Sequence, residues 1–113
     1  MNVAFDGIHE VVATFNAAGT AKPDQVVKLS ANGTVAGCSA GDGFCGLALS
    51  VRDGAAAVQI GGFMTVSCAS GCPALGRVTL AADGNGGVKT ASTGTSALVV
   101  ATDSANLTAV IYL

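Results

Sequence analysis

The stretch Gly43–Ala69, GFCGLALSVRDGAAAVQIGGFMTVSCA, carries the pattern that decides the fold. An Asp53-Gly54 pair stands between two apolar runs, and this is a strong hairpin signal because both residue types tolerate positive φ. The adjacent Gly61 and Gly62 permit a bulge or a sharp bend before the next run. The stretch therefore predicts three consecutive strands, at Phe44–Arg52, Ala55–Ile60 and Phe63–Ala69.

The same rhythm continues in both directions along the chain. An Asn32-Gly33 pair separates two further apolar runs and predicts another hairpin. Nine or ten short strands, spaced about 8–12 residues apart and linked by Gly-rich turns, predict an all-β fold, a small β-sandwich or barrel. The remaining predicted strands are His9–Phe15, Gln25–Ser30, Thr34–Cys38, Arg77–Ala82, Val88–Ser92, Ser96–Thr102 and Leu107–Leu113.

The composition is apolar but poor in bulky and charged side chains. Of the 113 residues, 50% are hydrophobic and only 4% aromatic, so the core is built mostly from Ala and Val. Charged residues make up 11%, against about 25% in a typical globular protein. A chain of this length forms one domain, and the low surface charge predicts that another protein covers much of its surface.

Several classes of partner are not expected. The net charge is −2 and the five cations are scattered, so no basic stripe for nucleic acid is present. No apolar run has the length of a membrane span. The N-terminal sequence MNVAFDGIHEVV lacks the pattern of a signal peptide, which predicts synthesis in a cytoplasm and retention there at least until assembly.

Four cysteines leave three interpretations open. In a reducing compartment the default is free, buried thiols. One or two disulfides, formed after release into an oxidising medium, are the second interpretation. A zinc site is the third, although only the Cys68 and Cys72 spacing in CASGC fits a zinc knuckle, and the Cys38 and Cys45 spacing does not.

The sequence offers little to support catalysis. Five aspartates, Asp6, Asp42, Asp53, Asp83 and Asp103, stand at predicted turns or beside glycine, where the carboxylate caps the backbone. The Gly-rich segments at 41–46 and 83–88 match neither a phosphate loop nor a dinucleotide fingerprint. We therefore expect no enzyme, no cofactor, no small-molecule substrate and no metal. The enzyme hypothesis that stays open is a thiol-dependent one, with Cys45 or Cys68 paired with His9.

From DQVVKL to the C-terminus the sequence resembles the capsid decoration, or cement, proteins of tailed bacteriophages. The order of features carries the resemblance: VVKLSANGTVAGC, then GDGFCGLALSVRDGAAAVQIGGFMTV, then PALGRVTLAADGNGGVKTAS, and finally ALVVATDSANLTAVIYL. The resemblance implies a compact β fold that binds the outside of a phage head and stabilises the lattice of the major capsid protein. It also implies a homo-trimer and a location on the outer surface of the virion.

This interpretation divides the chain into residues 1–24, a possible capsid-contacting arm, and residues 25–113, a single β domain. The expected contacts with the capsid or with other subunits are the apolar positions of the N-terminal segment and a second patch on a later strand. These residues are Phe5, Ile8, His9, Val11 and Phe63. The alternative function is a β-sandwich binding module of a bacterial surface protein or a phage fibre.

Overall fold

A computed structural model describes residues 10–113, and these residues form ten β-strands. The first five are β1 Val11–Ala17, β2 Val26–Ala31, β3 Thr34–Gly37, β4 Gly46–Arg52 and β5 Ala55–Gly61. The other five are β6 Phe63–Ser67, β7 Gly76–Ala82, β8 Val88–Thr90, β9 Thr95–Asp103 and β10 Thr108–Tyr112. The all-β prediction is confirmed. Among residues 10–113 no helix has the length and hydropathy that a membrane span requires.

The first five strands close into a barrel with the order β1-β3-β2-β4-β5, in which β5 pairs again with β1. The β2–β3 and β4–β5 hairpins are antiparallel, and β1 pairs with β3 in parallel over Asn16 and Ala17. Glycine allows two strands to approach closely at Gly46, where a Cβ atom would collide with the carbonyl of Gln59. A barrel of five strands is narrow and has room for small side chains inside.

The last five strands form a second sheet with the order β6-β10-β9-β7-β8. All of its pairings are antiparallel. The chain passes from the barrel to this sheet at Gly62, whose φ of 89° is available to glycine at little cost. Gly62 and Leu113 exchange both backbone hydrogen bonds, at 3.3 and 3.1 Å, so the end of β10 is fixed at the junction.

Two hydrophobic clusters fill the molecule. The smaller cluster lies inside the barrel and has a centre of Ala and Val side chains, which are Ala21, Val27, Val35, Ala48, Ala56 and Val58. Four partly buried residues pack around this centre, namely Phe15, Ala17, Cys45 and Val51. The larger one lies between the barrel and the second sheet, where Phe44 and Leu47 meet Met64, Leu80 and Ile111. The outward side of β2 and β4 thus packs on the inner face of the second sheet.

The turn signals in the sequence are confirmed. Both hairpins turn over the predicted pairs, and the three residues with positive φ among them are Gly33 at 61°, Asp53 at 53° and Gly54 at 75°. The predicted domain limits need a revision, because β1 belongs to the barrel through its pairing with β3 and β5. Residues 11–24, which the sequence had suggested as part of an arm, are therefore integral to the fold.

Candidate interaction surface

The outward side of β1, β5 and β4 forms a face of small side chains, which we call the barrel outer face. The strand registers arrange it in two rows, Thr14–Ala57–Ser50 and Asn16–Ala55–Arg52. The alternate residues of the same strands point into the barrel interior. Arg52 is the one charged side chain in these rows and stands at their rim, so the barrel outer face is nearly uncharged.

An exposed apolar corner adjoins the barrel outer face where β1 begins and β5 ends. Val11 pairs with Gly61 and Val12 with Gln59, and a bulge places Ile60 between these two pairs. The three aliphatic side chains are exposed by 50%, 44% and 37% respectively. Aliphatic side chains scattered singly over a surface need no explanation, but three at one corner mark a surface that suits a partner.

Phe63, the other described residue of the predicted contact set, lies close to this corner. It follows Gly61 by two residues and begins β6 in the second sheet. Its ring packs against Tyr112 with centroids 4.8 Å apart and an interplanar angle of 52°. Val11, predicted as a member of a separate patch, pairs with Gly61, so the two predicted contacts stand on adjoining segments at the junction. The three other predicted contacts, Phe5, Ile8 and His9, lie outside the described residues.

The sequence did not indicate Tyr112, Val12 or Ile60 as members of this surface. Tyr112 directly faces Phe63 across the β6–β10 ladder, and this pairing depends on a strand order that a sequence does not specify. Ile60 is exposed because of the bulge, although a regular alternation would point it inward with Val58. One feature of the sequence could have indicated the exposure of Ile60: it stands directly before the Gly61-Gly62 pair, where a bulge is favoured.

Three of the described aspartates predicted at turns, Asp42, Asp83 and Asp103, accept hydrogen bonds from backbone N–H groups there. Asp103 Oδ1 accepts hydrogen bonds from the backbone N–H groups of Ala105 and Asn106, and its Oδ2 accepts one from Asn106 Nδ2 at 2.8 Å. The Asn106 side chain, with the backbone donors, lowers the pKa of Asp103. Asp83 Oδ1 likewise accepts from Asn85 and Gly87. These carboxylates hold loops in place.

Asp42 has the same structural role with a cation added. Its Oδ2 accepts a hydrogen bond from Lys28 Nζ at 2.6 Å and one from the backbone N–H of Ser39 at 2.9 Å. The Lys28 ammonium lowers the pKa of Asp42, and the carboxylate in turn raises the pKa of Lys28. The pair ties β2 to the turn after β3. Within residues 10–113 no group of three His, Cys, Asp or Glu side chains could hold a metal ion.

The cysteines divide into two pairs with different states. Cys68 and Cys72 form a disulfide, with their Cα atoms 4.8 Å apart. The default expectation of free thiols is therefore wrong for this pair, because the tight turn after β6 brings the two residues within bonding distance. Cys38 and Cys45 are free thiols and are partly buried, so the expectation of free thiols holds for this second pair.

Burial makes the two free thiols poor nucleophiles. It raises the pKa of Cys38 to about 11, with a further contribution from the nearby Asp42 carboxylate. Burial also raises the pKa of Cys45. The thiolate is the reactive form, so at neutral pH both side chains are overwhelmingly protonated. Cys68, the other cysteine considered for a thiol-dependent enzyme, is held in the disulfide.

An open cleft of about 430 Å³ separates the barrel loops from the β7–β8 loop. It is lined by Thr20, Lys22, Gln25, Gly37, Cys38, Ser39, Gly84, Asn85 and Gly86. Lys22 is its only charged side chain, and the Cys38 thiol is its only other titratable group. A general acid–base mechanism needs paired titratable groups at correct separation, and the lining of this cleft does not supply them.

The sequence matches no protein-family model, and it has no detectable counterpart among curated proteins.

Proposed function

We propose that this protein is a capsid decoration protein, which binds the outer surface of a tailed-phage head as a trimer and stabilises the lattice of the major capsid protein. The observation that carries the proposal is the barrel outer face together with the apolar corner of Val11, Val12 and Ile60. Small, nearly uncharged side chains on a rigid sheet allow a second protein to approach closely, and aliphatic residues at the rim supply buried area.

The rigidity of this surface supports the same role. The barrel closes on itself, so β1, β4 and β5 are each paired on both sides, and the barrel outer face is held without an open strand edge. A preformed face loses little conformational entropy on binding. Repetition of one modest contact over a symmetric lattice then multiplies its effect, because each bound subunit raises the effective concentration at the next contact.

The proposal is tested by adding the purified protein to undecorated phage heads of the cognate virus. We expect saturable, stoichiometric binding in a sedimentation assay and a higher temperature of head disruption in a thermal scan. Binding that does not saturate, or saturated heads with unchanged heat resistance, contradicts the proposal.

Two matched substitutions locate the contact. Thr14→Arg places a long cation on the barrel outer face, whereas Thr90→Arg makes the same change at an exposed position of β8. We expect Thr14→Arg to weaken binding to the heads at least about tenfold, a loss of about 1.4 kcal/mol, and Thr90→Arg to bind as the wild type does. Equal affinities of the two variants would place the contact elsewhere.

A further inference from the structure

The Cys68–Cys72 disulfide joins two sulfur atoms in different surroundings. Cys68 directly follows β6, and its side chain is completely buried in the larger cluster. Its N–H donates to the Leu107 carbonyl at 2.8 Å, which fixes Cys68 beside the start of β10. Cys72 packs at the margin of the same cluster and is partly exposed. Solvent therefore reaches this disulfide from the Cys72 side.

The short loop between the two cysteines leaves that side accessible. Its three residues, Ala69, Ser70 and Gly71, are all exposed. The Cys72 Sγ atom lies 3.8 Å from the Cys68 carbonyl oxygen and 3.9 Å from the Thr108 carbonyl oxygen. These backbone neighbours keep Cys72 close to β10 and still leave part of the residue in contact with solvent.

The difference in burial decides which sulfur an external thiol can attack. In thiol–disulfide exchange a thiolate attacks one sulfur of the disulfide and the other sulfur leaves, and access is one of the factors that select the attacked atom. The Cys68 sulfur can be approached only after the fold opens locally. Exchange with a small thiol is therefore directed to Cys72, and Cys68 is the leaving sulfur.

We propose that Cys72 is a site of reversible modification by low-molecular-weight thiols of the glutathione type. The thiolate of the small molecule attacks Cys72 Sγ and forms a new sulfur–sulfur bond there, while the bond between Cys72 and Cys68 breaks. Cys68 leaves with the electron pair of that bond and takes a proton from water, because its apolar surroundings disfavour a thiolate. One disulfide replaces another, so the exchange involves no net oxidation or reduction.

The same asymmetry orders the steps when the reduced protein is oxidised by a small disulfide such as glutathione disulfide. The Cys72 thiolate attacks first, forms the mixed disulfide and releases one small thiolate. Cys68 then gives up its proton, attacks Cys72 Sγ and displaces the second small thiolate, which closes the loop. The inference does not depend on the proposed function, and its tests use the isolated full-length chain.

Two matched variants compare the sulfur atoms one at a time. Both carry Cys38→Ser and Cys45→Ser, and then either Cys68→Ala or Cys72→Ala, so that each protein retains a single thiol. With glutathione disulfide at neutral pH, we expect the Cys68→Ala protein to gain one glutathione at least about tenfold faster than the Cys72→Ala protein, since a buried thiol reacts only after local opening. Intact-mass spectrometry measures both rates.

The folded structure must be the cause of this difference. In concentrated urea we expect the two variants to react at equal rates, because both thiols are then exposed. Equal rates in the folded proteins, a faster reaction at Cys68, or no reaction in either protein overturns the proposal. A tenfold difference that persists in urea overturns it as well, since burial could not then be its origin.

A second test keeps the native cysteine pair. The wild-type protein is exposed briefly to reduced glutathione and quenched with acid, its free thiols are alkylated with N-ethylmaleimide, and tandem mass spectrometry locates both groups. We expect glutathione on Cys72 and the alkyl group on Cys68 in the mixed-disulfide form. The opposite assignment, or equal amounts of the two forms, overturns the proposal.

Discussion

The barrel and the second sheet contain five strands each, yet they are stabilised in different ways. The barrel interior is filled by Val and Ala, and its rigidity comes from closure and from close strand approach at glycine. The second sheet is open and depends on Leu80, Ile111, Met64 and Phe44 in the larger cluster. A chain poor in bulky residues can thus concentrate them in one layer and rely on strand closure elsewhere.

The largest expected effect is on the core of the second sheet. Ile111 and Val58 are both completely buried, one in each cluster, and both can be truncated to alanine. We expect Ile111→Ala to lower the free energy of unfolding by about 2–5 kcal/mol. Val58→Ala removes two methyl groups, worth about 1.6 kcal/mol at about 0.8 each. Urea titration of both variants measures the difference, and equal losses would refute the contrast between the two clusters.

Closure of the barrel is tested at Gly46. Gly46→Ala places a methyl group against the Gln59 carbonyl, and since both atoms belong to paired strands, relief requires the strands to separate. We expect a loss of up to about 3 kcal/mol, as for overpacked sites. The control is Gly19→Ala, because a Cβ atom there meets nothing within 4 Å. If the Gly46→Ala protein were as stable as the control, β4 and β5 would be able to accommodate the methyl group, and the close approach would not be required for the stability of the barrel.

The disulfide gives a smaller effect, confined to the second sheet. Closing a loop of about five residues stabilises the fold by about 2 kcal/mol in the chain-entropy description. We expect a reductant to lower the melting temperature of the wild type and of the Cys38→Ser/Cys45→Ser variant alike. The Cys68→Ser/Cys72→Ser variant should melt at one temperature with and without reductant. A reductant effect that survives in this last variant would exclude the disulfide as its cause.

The smallest effect concerns acid and the β9–β10 turn. The pKa of Asp103 is lowered in the folded protein, chiefly by the Asn106 side chain. The carboxylate therefore stabilises the fold above its unfolded pKa of about 3.9, and this contribution is lost as the pH falls through the lower folded value. We expect Asp103→Asn to flatten the decline in stability below about pH 4. A decline as steep in Asp103→Asn as in the wild type would contradict this role of the carboxylate.

Local chemistry made much of the fold predictable from the sequence. Asn32-Gly33 and Asp53-Gly54 specified two hairpins because positive φ is required at their turns. The parallel pairing of β1 with β3 closes the barrel, and it could not be predicted since no turn connects these strands. The sheet order that sets Tyr112 beside Phe63 is non-local in the same way.

The candidate surface was predictable only in part. Val11 and Phe63 could be chosen as apolar residues, but their proximity follows from the pairing of Val11 with Gly61. The default prediction was free thiols, because the expected compartment is reducing, whereas the turn after β6 brings Cys68 and Cys72 together in a disulfide.

The position of β10 between β6 and β9 has a consequence for biosynthesis. All five barrel strands lie within residues 11–61, so the ribosome supplies the whole barrel before any strand of the second sheet. The second sheet is interrupted until Tyr112 emerges, and in that interval Val26, Phe44 and Leu47 lack the layer that later covers them. Nascent chains stalled between residues 70 and 107 should therefore be the forms most prone to capture by chaperones.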